Sequence, residues 1–133
     1  MKIWREQRGA TAVEFAFVAP IFLMFLLLLL EGARMMWTQG ALQEAAASAA
    51  RCSAVKSSSC NSDALVKSYA VARAANSQIT IAATTVTIDN AVTCGTLGNM
   101  QKVTITAPWS SAATNLLPGA PSQLSVYSCF PNA

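Results

Sequence analysis

The chain has 133 residues, of which 53% are hydrophobic and 11% charged, with a net charge of +3 and no histidine. This composition excludes intrinsic disorder, which needs high charge and low hydrophobicity. It also excludes a nucleic-acid-binding surface, which needs densely clustered basic residues. Without histidine, the Ser-His-Asp and Cys-His designs are not available, and an enzyme is not expected.

The hydrophobicity is concentrated. Residues 15–30 read FAFVAPIFLMFLLLLL, sixteen residues without a charge. Extended back to Ala10, the segment has 21 residues, interrupted by Thr11 and Glu14. A helix needs ~20 residues to cross a bilayer core, and helix is the state that pairs every backbone group in lipid. Lys2, Arg5 and Arg8 precede the segment against Glu6, whereas Glu31 and Arg34 cancel after it. The positive-inside rule keeps the N-terminus in the cytoplasm and sends the remainder across. Conventional signal cleavage is not expected, because the apolar run is long and passes into Glu31-Gly32-Ala33-Arg34 without a small-x-small site.

Glu14 lies about one turn into the apolar segment, where a charge costs several kcal/mol and usually has a role. The surrounding residues are Arg8-Gly9-Ala10-Thr11-Ala12-Val13-Glu14-Phe15. They resemble the processing site of type IV pilin-like proteins, in which a short basic leader ends in Gly and the fifth mature residue is Glu. Within that group, residues 8–51 resemble the TadE-like minor pilins, or pseudopilins, of the tight-adherence (Flp) pilus system. The shared features are TAVEFA, a Pro about ten residues into the mature chain, the exit Glu-Gly-Ala-Arg, and an alanine-rich continuation to Arg51. A looser likeness covers V-T-I-T-A-P-W and L-S-V near the C-terminus. The chain departs from the family in having Gly32-Ala33 where Phe or Tyr is frequent.

The resemblance implies removal of residues 1–9 by a prepilin peptidase between Gly9 and Ala10. The side-chain balance then falls from +3 to +1, since three basic residues and one acid leave. It implies a non-enzymatic subunit for assembly of an adhesion pilus, in contact with other pilins and minor pilins, the inner-membrane assembly platform with its secretion ATPase, and membrane lipid. The expected location is the bacterial inner membrane, with the C-terminal part periplasmic and a pilus as destination. Physically, Glu14 can pair with the ammonium group that cleavage creates, which lowers the cost of burying either charge. No cofactor, metal, nucleic acid or small-molecule substrate is expected. The alternatives are an unprocessed single-pass anchor for a periplasmic binding or scaffold domain, and a secreted disulfide-rich effector.

The expected fold is α+β. A transmembrane helix over residues 10–31 continues as a periplasmic stalk over 32–56. Pro20 predicts a kink or local unwinding. In the stalk, Trp37, Ala41, Ala45, Ser48, Ala49 and Cys52 share a narrow small-residue face, open either to another backbone or to the protein's own sheet. Trp37 and the methionines before it suit the outer headgroup region. A second helix is expected over 61–76, with Ser62 or Asp63 as N-cap and Leu65, Val66, Tyr69 and Ala72 or Arg73 as its covering stripe.

Residues 77–133 should form a small antiparallel sheet of three to four strands. Ile79 and Ile81, then Val86 and Ile88, alternate with threonines, as do residues 103–106 and 124–127. Gly95, Gly98-Asn99 and Pro118-Gly119 mark turns. The four cysteines, Cys52, Cys60, Cys94 and Cys129, imply two disulfides in an oxidising compartment. Of three possible pairings, Cys52–Cys60 would close the stalk onto the following loop, and Cys94–Cys129 would tie a strand connection to the last strand. Zinc is disfavoured by the lack of any Cys-x-x-Cys or histidine.

Overall fold

The computed structural model describes residues 7–111 and 119–132, without the side chains of Gln7 and Arg8. Pro118 and the leader residues Lys2, Trp4, Arg5 and Glu6 lie outside the described residues. Helix α1 (Gln7–Val55) is 49 residues long and is followed by α2 (Asp63–Asn76). A 3-10 turn (Ala83–Thr85) leads into β1 (Val86–Cys94), β2 (Leu97–Pro108) and β3 (Gln123–Pro131). The fold is α+β, with one antiparallel sheet in the order β1-β2-β3.

Helix α1 changes surroundings along its length. Alanine, leucine and methionine are strong helix formers, which sustains the run. In its C-terminal half, Leu42, Ala45, Ala46, Ala49, Ala50 and Ala54 are buried. This stripe is covered by the chain's own sheet and α2. It is rotated from the face expected of the spacing: Trp37 is 70% exposed, and Ala46 and Ala50 lie near the centre. The side chains that α1 contributes to this layer are mostly alanine.

Helix α2 starts at Ser62, whose side chain accepts a hydrogen bond from the Leu65 N–H. Its covering stripe is Val66, Ala70 and Ala74, with Tyr69 half-buried; Leu65, Ala72 and Arg73 face outward. The helix ends in a Schellman arrangement: Gln78 N–H donates to the Ala75 carbonyl at 2.9 Å and Ile79 N–H to the Ala74 carbonyl at 3.1 Å. Gln78 adopts φ 61°, a position glycine usually fills.

This cap corrects the strand expected at Ile79. Its N–H closes the helix and cannot join a ladder. Ile81 is buried, yet it lies in the extended link to the 3-10 turn. The sheet therefore begins at Val86.

One face of the sheet carries Val86, Val103, Ile105, Ala107, Leu124 and Val126, all buried against the helices. The opposite face carries the cross-strand row Thr87, Thr104 and Tyr127 and the row Asp89, Lys102 and Cys129. The β1–β2 connection turns at Gly95, with φ 62°. Gly98-Asn99 does not form a separate turn but lies inside β2, where Asn99 at φ 56° and Ala91 of β1 at φ 57° accompany shifts in register. The bulges add twist and bend the end of β1.

Candidate membrane and assembly segment

The first part of α1 contains every residue of the expected processing and assembly site. Gly9, Ala10 and Glu14 are helical and exposed. Glu14 is four residues beyond Ala10, so the two share one face of the helix one turn apart. In a helix that began at Ala10, Glu14 would occupy the first turns, where the macrodipole favours negative charge.

The side chains that follow are uncovered. Phe15, Phe17 and Ile21 are each more than 70% exposed, and Leu30 is 67% exposed. The apolar window of this helix has a mean hydropathy of 2.6 and none of it is buried within the protein. At roughly 25 cal/mol per Å² of apolar surface, water is an unfavourable environment for such a rod. Its length and composition are sufficient for one membrane crossing. The helix continues through Pro20 with no break in the helical run. Proline has no N–H there, so the Ala16 carbonyl lacks its usual donor.

Beyond the apolar run, four long-range side-chain contacts fix the domain to α1. The Arg34 guanidinium lies over the Trp109 ring, 5.0 Å from its centroid. Gln43 donates from Nε2 to the Tyr127 carbonyl on the edge strand β3, at 2.9 Å. Arg73 of α2 donates to Ser48 Oγ at 3.3 Å and lies 3.9 Å from Glu44 of α1. None of these pairs is visible in local spacing, because the partners are far apart in the chain and on different elements.

Cys52 and Cys60 are joined, with Cα atoms 5.7 Å apart, and close the end of α1 onto the loop before α2. Cys94 and Cys129 are joined across the sheet, with Cα atoms 6.5 Å apart. They lie on β1 and β3, which flank β2. Flanking strands ordinarily stand about 9–10 Å apart, so the bulged end of β1 must curl over β2 to bring Cys94 within reach. Among the described residues, no group of three or more His, Cys, Asp or Glu side chains is placed to hold a metal ion.

A family model described as TadE-like protein matches residues 9–51. The match runs from the glycine before Ala10 to the last buried turns of α1, and so spans both the uncovered and the covered part of the helix. No curated protein and no solved structure matches the chain.

Proposed function

We propose that this chain, TadE-like over residues 9–51, is a minor pilin that is cut between Gly9 and Ala10 by a prepilin peptidase and takes part in building a tight-adherence pilus. It is a structural subunit and not an enzyme. The observation that carries the reading is the division of α1: a charge-poor apolar half with no cover, beginning five residues after Gly9 with Glu14, joined without interruption to a half that is the core of a folded domain.

In this reading the apolar half first crosses the inner membrane with the N-terminus cytoplasmic. The three basic leader residues Lys2, Arg5 and Arg8 hold that end inside. After cleavage the same surface packs against the helices of neighbouring pilins. Lipid and helix are both apolar surroundings, so the exchange needs no refolding of the segment. Glu14 gives the incoming subunit its register by pairing with the new ammonium group of Ala10, in its own chain or in a neighbour.

The test is an intact-mass measurement on protein from cells that contain the peptidase. The expected product comprises residues 10–133. A full-length product would instead support an unprocessed anchor for a periplasmic scaffold domain.

A further inference from the structure

We propose that the rim of the domain built around Arg34 and Trp109 docks on the outer-leaflet headgroups, with the Arg34 guanidinium donating to a phospholipid phosphate. This goes beyond the proposed function and rests on its membrane-spanning reading of residues 10–31.

The argument begins with depth. Arg34 lies one turn beyond Leu30, about 6 Å along a helix rising ~1.5 Å per residue. The headgroup layer adds roughly 5–7 Å to each side of the hydrocarbon core. Because α1 is continuous from the apolar run through Arg34, the guanidinium is delivered to phosphate level. Trp109 is held at the same level by its contact with Arg34, although it comes from the end of the sheet.

The chemistry fits that depth. A groove of about 360 Å³ is lined there by Arg34, Trp37, Thr38, Ile79, Trp109 and Ser110, among others. Arg34 is the sole charged side chain among the described residues lining it. Two indoles beside hydroxyl groups match the amphipathic character of a membrane interface. The Arg34 side chain has no hydrogen bond or ion pair among the described residues. The contact with the Trp109 ring, 5.0 Å from its centroid, is a cation–π contact that consumes no N–H···O hydrogen bond, so the guanidinium donors remain available to a phosphate. Glu31, one turn nearer the membrane, is half-buried with its Oε2 enclosed, whereas Arg34 is exposed. The outward-facing charge at this level is therefore positive.

The test uses the full chain in vesicles of phosphatidylethanolamine and phosphatidylglycerol. Trp4→Phe with Trp37→Phe leaves Trp109 as the single tryptophan, excited selectively over Tyr69 and Tyr127. A headgroup-level quencher should reduce its emission more than a quencher placed deep in the acyl chains. Arg34→Gln should weaken the quenching of Trp109 by the headgroup-level quencher, and Arg34→Lys should retain it. As a separate reporter of insertion, Phe22→Trp in a chain whose three native tryptophans are replaced by Phe should respond to the deep quencher. If Phe22→Trp responds and Trp109 does not respond to the shallow quencher, docking is overturned and insertion stands. If Arg34→Gln leaves Trp109 quenching unchanged, the phosphate assignment is overturned. If neither reporter responds, docking and the membrane reading fail together.

Discussion

Glu14 is an acid on an uncovered apolar helix, four residues from Ala10. If its role is to pair with the ammonium group made by cleavage, its charge matters after processing and not before. Glu14→Ala should therefore leave insertion and the loss of residues 1–9 intact while abolishing incorporation into pili. Blotting of membrane and sheared-pilus fractions checks this; normal pilus levels in the variant would remove Glu14 from assembly. Glu14 draws notice in the sequence because an acid inside an apolar run stands out against lipid. Arg34 and Trp109 were not legible as a pair. In the sequence Arg34 belongs to the Glu-Gly-Ala-Arg exit and Trp109 to V-T-I-T-A-P-W, and only the return of the sheet to the start of the domain brings them to 5.0 Å.

At the scale of elements, the long helix and the cap of α2 could be read from composition and from Ser62. The stripe by which α1 meets the sheet was harder to place. In an alanine-rich helix several faces carry small residues, so helical spacing alone does not choose among them. The choice is made by where β2, β3 and α2 deliver Val103, Ile105, Val126 and Val66. The same limit applied at Ile79 and Ile81, whose alternation resembles a strand. The link is decided by a backbone event: α2 terminates through Gln78 in the left-handed region, without a glycine to announce it. A left-handed residue with a Cβ is strained by roughly 1–2 kcal/mol, part of which glycine returns through its freer unfolded chain. Gln78→Gly should thus raise stability by about 0.5–1 kcal/mol. Urea unfolding of the full chain in detergent measures it, and a destabilised variant would contradict the cap assignment.

For the whole molecule, the sheet is small and its covering layer is made mainly of alanine, so covalent ties carry a sizeable share of the stability. The Cys52–Cys60 link spans a separation of 8 residues, and Cys94–Cys129 one of 35. Loop-closure entropy then assigns about 2.5 kcal/mol to the first and about 4 kcal/mol to the second. Replacing both cysteines of the longer link by serine should lower the urea midpoint more than the same change in the shorter link. The reverse order would mean that the end of α1, and not the strand crossover, limits unfolding. β-branched alternation left the count at three to four strands, and the described residues form three because Ile79 and Ile81 lie in the link that follows the cap of α2. The overlap of β1 across β2 could not be read from the sequence, because it arises from bulges at Ala91 and Asn99, and neither residue type specifies a bulge by itself.

The continuity of α1 has a mechanical consequence. The helix is 49 residues long, roughly 74 Å at ~1.5 Å per residue, and its far half is part of the domain's core. A pull along its axis, as in the proposed extraction of a pilin from the bilayer, has no linker to stretch first. The load enters the domain as shear along the buried stripe from Leu42 to Ala54, where many side-chain contacts must slip together. The two disulfides cross-brace the domain at the end of the helix and at the far end of the sheet. The apolar half of α1 thus works as a stiff handle, and what is drawn out with it is a domain already clamped to the shaft.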